Sequence, residues 1–259
     1  MIRRVPGRLP VLAVLVTGLL AGCDAQPKLK QIENPIFSIR FGKTEPVRGR
    51  RRILSDALEF LKFRAARELD TPESSLLEDY RYSCAQAEAL TGLEVDPDRN
   101  RSPAEAGFAL DLAISRAREN GGESFLISLG GDLFAAGLRE PGSPWRIGLR
   151  IPGIPESPLL GSFPLSNRAF VSISRQEIGL ADSPDQPTGA GIAAPTAFAA
   201  AILAQALLAS GPGSFLPFLR GLPGIDAVVI YPDGTLLISP GIYDSFRLEQ
   251  AGWDVLPYR

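Results

Sequence analysis

The sequence contains no histidine, and this absence excludes several common kinds of active site. A typical zinc site, a Ser-His-Asp triad and histidine acid-base catalysis all need an imidazole ring. The 259 residues include only two cysteines, Cys23 and Cys84. Because Cys84 lies on the apolar face of a predicted helix and has no histidine to activate it, we expect no cysteine-based catalysis.

The sequence also lacks a strong excess of charge of either sign. Its net charge is −2, and acidic and basic residues are interspersed along the chain. A nucleic-acid-binding surface needs concentrated positive charge, so we expect no nucleic acid partner. One basic cluster, Arg48, Arg50, Arg51 and Arg52, is compatible with contact to anionic lipid, but a solvated helix entrance is the preferred interpretation.

The beginning of the chain has the features of a bacterial lipoprotein signal peptide. Three arginines, Arg3, Arg4 and Arg8, precede an apolar run over residues 9–20 that is too short to be a finished transmembrane helix. The run ends in Leu-Ala-Gly-Cys at residues 20–23, where small residues suit cleavage and the cysteine thiol can accept lipid. We therefore expect cleavage before Cys23 and a lipid anchor on that residue.

This start predicts how the whole chain is organised. Residues 1–22 form the signal peptide, and the polar residues 23–36 form a lipidated tether. Residues 37–259 are expected to fold as a single domain. Asp24 favours retention at the inner membrane, so the predicted location is the cell envelope, with the domain facing the periplasm and the lipid as its attachment to the membrane.

Apolar spacing predicts helices and strands without regular alternation. The predicted helices cover residues 54–69, 71–92, 102–120 and 194–209. The predicted strands cover residues 125–129, 133–137, 145–151 and 168–174, and a hairpin over 227–231 and 235–239. Ser102 and Glu105 form a capping box around Pro103, which marks a helix start. The mixture predicts an α+β fold with a largely antiparallel sheet.

Several short motifs follow one another in a distinctive order. The most specific is FLISLGGD at residues 125–132, where two glycines and an aspartate follow a buried strand. The others are TGLEVDP at 91–97, GFALD at 107–111, WRIGL at 145–149, AFVS at 169–172, DQPTG at 185–189 and APT at 194–196. Together they resemble motifs of the FAD:protein FMN transferases, the ApbE family, such as NALVNLGGD, TGGxFDP, KGYAVD, WxVGI and DPRTG.

The resemblance implies a fold and a reaction. The expected fold is an ApbE-like, T-fold-related single α+β domain with a mostly antiparallel sheet and flanking helices. Members of the family split the pyrophosphate of FAD and transfer FMN to a threonine or serine hydroxyl of a redox partner, with Mg²⁺ neutralising the negative charge. FAD or FMN is therefore the expected cofactor, and a periplasmic or membrane flavoprotein is the expected partner.

The resemblance also implies which residues contact the flavin nucleotide. They are Phe108, Asp111, Gly130, Gly131, Asp132, Ser172, Glu177, Thr188 and Gly189. The glycines let the backbone approach a ligand closely, and Asp132 can accept hydrogen bonds from a ribose or a flavin ring edge. Phe108 is either a wall of the flavin site or a core residue of its helix, and the core interpretation is preferred.

Residues that the family uses for metal binding and catalysis are replaced in this sequence. Ala201 and Gln205 stand where the resemblance places the metal-binding aspartate and threonine. Ala106 stands at the lysine of KGY, residues 100–103 replace the preceding DLGG, and Asp182 stands at a histidine. A methyl group cannot ligate a cation, so we expect no Mg²⁺ at the family positions and assign no catalytic residue.

Three functions remain open from the sequence. The preferred one is a degenerate family member that binds FAD or FMN without transferring FMN. The second is an active FMN transferase with a rearranged metal site, for which Glu177, Asp182 and Asp185 are candidate ligands, although solvated acids are the preferred interpretation of these residues. The third is a non-catalytic assembly lipoprotein of a redox complex.

Overall fold

The computed structural model describes residues 31–33, 37–41, 53–54, 57, 75–92, 94–95, 97, 102–154 and 156–258. The predicted signal peptide, the lipidation site Cys23, the arginine cluster and most of the helix predicted over residues 54–69 lie outside the described residues. In the part of the chain that is described, no helix combines the length and the apolar character needed to cross a membrane.

A nine-stranded sheet forms the centre of the domain. With strands numbered in chain order, its spatial order is β1 (Gln31–Glu33), β2 (Phe37–Phe41), β3 (Phe125–Leu129), β4 (Asp132–Ala136), β7 (Arg168–Ser174), β8 (Gly189–Ala194), β9 (Asp226–Ile230), β10 (Thr235–Ile238) and β12 (Asp254–Pro257). Neighbouring strands are antiparallel except β10 and β12, which are parallel. The predicted α+β class with a mostly antiparallel sheet is confirmed.

A smaller sheet of three strands covers one face of the large sheet. Its spatial order is β11 (Arg247–Leu248), β6 (Gly161–Leu165) and β5 (Trp145–Leu149). The four longer helices cover the other face. Because successive side chains of a strand point to opposite faces, β7 contributes Val171 and Ile173 to the helical core and Phe170 to the core between the two sheets.

The helices are α1 (Ser75–Thr91), α2 (Pro103–Glu119), α3 (Ala197–Ser210), α4 (Pro212–Arg220) and the short α5 (Pro240–Tyr243). The start predicted for α2 is confirmed, since Ser102 Oγ accepts a hydrogen bond from the backbone N–H of Glu105 at 3.1 Å. The apolar face predicted for α1 is also confirmed, and it buries Leu77, Tyr80, Cys84 and Ala87.

Small residues allow α2 and α3 to approach each other closely. A Cβ atom on Gly107 of α2 would lie 2.7 Å from the carbonyl oxygen of Ala197, so only glycine fits at this contact. The start of α3 is capped by Thr196, whose Oγ1 accepts from the N–H of Ala199 at 3.2 Å. The alanine-rich helix therefore lies deep in the core, and Ala201 is completely buried.

Several elements differ from the sequence prediction. β8 was not predicted because its sequence, GAGIAA, has low strand propensity; every residue of it is buried in the centre of the sheet. Ile151, predicted to continue β5, lies in a loop after Leu149. β1 lies within residues 23–36, which were predicted as a tether, and it pairs with β2.

Candidate functional site

A cavity of about 710 Å³ opens where four parts of the chain meet: the β3–β4 turn, the start of α2, the loop after β5, and β7. Its volume is in the range of small-molecule binding sites. Leu129, Phe170 and Ile173 form apolar parts of its wall, and Asp132, Ser172 and Glu177 form polar parts. Apolar surface with a few polar groups is typical of a site for an organic ligand.

Two glycines form the tight turn at the edge of this cavity. Gly130 has a φ of +62°, a conformation that side chains rarely adopt, and it stands first in a two-residue hairpin turn between β3 and β4. Gly131 does not share this positive φ. A Cβ atom on either residue would have no neighbour within 4 Å, so this side of the cavity is formed by bare backbone that a ligand can approach.

Asp132 follows the turn and is 9% exposed. Its Oδ1 accepts a hydrogen bond from the backbone N–H of Ser172 at 3.3 Å, while Oδ2 has no hydrogen-bond partner among the described residues. Burial raises the pKa of Asp132 to about 7, the Ser172 hydrogen bond opposes this rise, and the nearby Glu177 carboxylate adds to it. Asp132 therefore changes charge near neutral pH at the cavity wall.

Glu177 is positioned by Ser174 at the end of β7. Its Oε2 accepts hydrogen bonds from the Ser174 backbone N–H at 2.6 Å and from the Ser174 hydroxyl at 2.8 Å. The other carboxylate oxygen has no partner among the described residues. Glu177 and Asp132 thus give one wall of the cavity two carboxylates that can accept hydrogen bonds from a ligand.

A further part of the wall is the loop of residues 150–154, which the sequence interpretation did not assign to the site. Ser157 fixes this loop: its Oγ accepts from the N–H of Ile151 at 3.1 Å, and its own N–H donates to the carbonyl of Ile154 at 3.0 Å. The dipeptide Pro152-Gly153 is a turn signal, which indicates a turn after the strand predicted over residues 145–151. Nothing in the sequence alone places the loop at this cavity.

Two predicted ligand-contacting residues, Phe108 and Asp111, lie at the junction between helices and not among the cavity-lining residues. Phe108 packs edge-on against Tyr80 and Phe198, with ring centroids 5.3 and 6.3 Å apart, as the core interpretation expects. Asp111 accepts hydrogen bonds from the backbone N–H groups of Ala197 at 2.8 Å and Phe198 at 2.9 Å. Burial raises its pKa to about 6, against the lowering effect of these bonds.

Two further predicted residues, Thr188 and Gly189, lie at the start of β8, next to the cavity loop but outside the cavity lining. The backbone N–H and the hydroxyl of Thr188 both donate to the carbonyl of Ile230, at 2.7 and 3.1 Å. A Cβ atom on Gly189 would lie 2.9 Å from Cγ of Pro152. Gly189 therefore permits close packing of the loop on β8, and the structure gives Thr188 a role in strand pairing.

The residues at the family's metal positions do not fit a magnesium site. Ala201 is completely buried, and the side-chain amide of Gln205 donates to the Ala201 carbonyl at 3.3 Å. Asp182 accepts a hydrogen bond from Gln176 at 2.7 Å, and Asp182 and Asp185 are exposed and not part of the cavity lining. Within the described ranges, no three or more Cys, Asp or Glu side chains are grouped so as to hold a metal ion.

Comparisons with known proteins give a family match and similar folds. The family model described as "ApbE family" matches residues 103–229. The flavin transferase ApbE from Vibrio cholerae is similar with a TM-score of 0.59 and 12% identity, covering 85% of this chain and 96% of that chain. The Pseudomonas stutzeri flavinyl transferase ApbE in its apo form is similar with a TM-score of 0.58 and 16% identity, covering 80% of this chain and 92% of that chain. A sequence search among curated proteins finds no match.

Proposed function

Because this chain belongs to the ApbE family over residues 103–229, we propose that it is an FMN transferase-like protein that binds FAD or FMN and no longer transfers FMN. The observation that carries the proposal is the cavity beside the Gly-Gly-Asp turn. Gly130, Gly131 and Asp132, with Ser172 and Glu177, were predicted from the sequence as flavin-contacting residues, and all five line this single cavity.

The composition of the cavity suits a ligand with a flat apolar ring and polar edges. Ile151, Pro152 and Ile154 offer apolar surface for a ring. Asp132 and Glu177 each have a carboxylate oxygen without a described protein partner, and these oxygens can accept hydrogen bonds from ring N–H or ribose hydroxyl groups. The bare turn at Gly130 and Gly131 allows the ligand to lie against the backbone.

Loss of transfer follows from the charge that the reaction develops. Cleaving the pyrophosphate of FAD places negative charge on the transferred group and on the departing AMP, and a metal ion normally stabilises that charge. The side chains at Ala201 and Gln205 supply neither a carboxylate nor a hydroxyl. Binding depends on cavity shape and hydrogen bonds, so it survives these replacements while the chemistry does not.

A flavin titration tests the binding proposal. The full chain, purified in detergent, is titrated into FAD while flavin fluorescence is followed. We expect saturable quenching. No detectable binding at high micromolar FAD would overturn the proposal.

A transfer assay tests the loss of activity separately. The chain is incubated with FAD, Mg²⁺ and a flavoprotein acceptor domain, beside an active family enzyme as control, and the acceptor is weighed by mass spectrometry. We expect no added FMN mass. An acceptor modified by this chain as readily as by the control enzyme would show that transfer has been retained.

We also propose that the protein is held on the periplasmic side of a membrane by lipid on Cys23. The basic start, the short apolar run and the Leu-Ala-Gly-Cys sequence at residues 20–23 support this proposal. In a bacterial host fed a labelled fatty acid, the chain should take up label and Cys23→Ala should not. Equal labelling of both chains would contradict the proposal. A membrane flavoprotein partner remains a prediction from the family resemblance.

A further inference from the structure

Among the described residues that line the cavity, only Arg150 has a cationic side chain. One nitrogen of its guanidinium group, Nη1, donates a hydrogen bond to the carbonyl of Ser157. Ser157 is buried and fixes the loop of residues 150–154. Arg150 forms no ion pair with Asp132, Glu177 or another carboxylate of the described residues. Its guanidinium is therefore held in place while its other N–H groups remain available to an anion.

No other residue that lines the cavity, among those the structure describes, has a cationic side chain. At the start of α2, Pro103 has no N–H, and Ser102 binds the N–H groups of Glu105 and Ala106 at 3.1 and 3.2 Å. Ala106 itself lines the cavity at the position where the family resemblance expects a lysine. With no metal-binding cluster among the described residues, an anionic ligand group is met by Arg150.

We infer that Arg150 binds the phosphate or pyrophosphate group of the flavin nucleotide and does so without a metal ion. This inference rests on the proposed function, because it names the contact that selects a phosphorylated flavin at the same cavity. The planar guanidinium matches phosphate oxygens with two parallel hydrogen bonds. Asp132 and Glu177 repel phosphate and Arg150 attracts it, so the phosphate lies at Arg150 and the ligand's neutral hydrogen-bond donors lie at the carboxylates.

The test compares FMN with riboflavin, which has the same ring and no phosphate, in the presence of EDTA. The full chain, Arg150→Gln and the control Arg146→Gln are titrated with each ligand. Arg146 lies in β5, four residues before Arg150, and does not line the cavity. Its guanidinium donates to the hydroxyl of Ser162 at 3.0 Å and to the carbonyl of Ser162 at 3.2 Å. We expect Arg150→Gln to weaken FMN binding by about 10-fold to 100-fold and riboflavin binding by less than about twofold. Arg146→Gln should change neither.

The outcomes separate this inference from the flavin proposal. If Arg150→Gln binds FMN as tightly as the unchanged chain, or if FMN binding disappears in EDTA, the inference is overturned and flavin binding stands. If the unchanged chain binds neither flavin, the proposed function fails, and inorganic pyrophosphate becomes the deciding probe. Pyrophosphate binding that is lost in Arg150→Gln supports an anion site at Arg150, and no pyrophosphate binding overturns it.

Discussion

Burial raises the pKa values of two carboxylates of this domain, Asp111 and Asp132, but their surroundings differ. Burial raises the pKa of Asp111 to about 6 and that of Asp132 to about 7. Both oxygens of Asp111 accept hydrogen bonds from the start of α3. Asp132 uses one oxygen for Ser172 and lies against a cavity.

The comparison shows that a perturbed pKa alone does not mark a functional group. Each carboxylate oxygen of Asp111 accepts a backbone hydrogen bond from the start of α3, so Asp111 joins α2 to α3, which is a structural role. Asp132 has hydrogen-bonding capacity left over and a space in front of it. Asp132 is the candidate ligand-binding carboxylate because one of its oxygens can still accept a hydrogen bond and it lies at a cavity.

The largest expected effect comes from filling the cavity beside Asp132. Gly131→Leu places an isobutyl group where a Cβ atom meets nothing within 4 Å. We expect FAD affinity to fall by more than about 100-fold because the side chain competes for the ligand's space, with little change in melting temperature. Gly213→Leu is the matched control, since its Cβ atom is also unobstructed and it lies outside the cavity. Equal FAD affinity in both variants would refute the assigned site.

The next effect concerns stability and separates the two carboxylates. Asp111→Ala leaves the N–H groups of Ala197 and Phe198 without their acceptor, so the free energy of unfolding should fall by about 2 kcal/mol. Asp132→Ala removes one longer hydrogen bond and also removes a buried charge, so its loss should be smaller than about 1 kcal/mol. Chemical denaturation at neutral pH measures both. A larger loss for Asp132→Ala would reverse the roles assigned here.

The smallest effect is a pH dependence of ligand binding. Asp132 accepts hydrogen bonds from the ligand best as a carboxylate, and its pKa is raised to about 7. Riboflavin affinity should therefore increase by about tenfold between about pH 6 and about pH 8. Riboflavin is used because it carries no phosphate that titrates. Asp132→Asn should bind riboflavin with no such dependence, and an unchanged slope in this variant would exclude Asp132 as its origin.

Stability of the unliganded chain should change with pH in the opposite direction. A carboxyl group whose pKa is higher in the folded state contributes stability below its unfolded value of 3.8, and this contribution is lost as the pH rises through about 7. Asp132→Asn should reduce this part of the pH dependence, as measured by unfolding across that range.

The sequence predicted those helices and strands whose conformation is set by residues close to one another along the chain. The capping box of Ser102 and Glu105 gave the start of α2, and alternating or continuous apolar runs gave β3 and β7 with their observed bounds. β8 could not be predicted in this way because its alanines and glycines become a central strand only through pairing with β7 and β9. In β8, hydrogen bonding to the two neighbouring strands outweighs the low strand propensity of alanine and glycine.

The part of the candidate site that the sequence predicted is a short motif of consecutive residues, Gly130, Gly131 and Asp132. The Gly-Gly-Asp turn carries its backbone shape in its own residues, and the family resemblance implied that it contacts the ligand. Phe108 and Asp111 stand three apart on one helix face, and that spacing is the same whether the face meets a ligand or α3. Arg150 was missed because only the folded chain places its loop beside the cavity.

A crystal structure of the chain soaked with FAD shows whether the cavity at Gly130, Gly131 and Asp132 binds a flavin nucleotide. We predict electron density for the nucleotide in this cavity, with a ligand donor at Asp132 Oδ2 and a phosphate at Arg150. An empty cavity under saturating FAD, or a nucleotide bound elsewhere on the chain, would show that this cavity is not the flavin site.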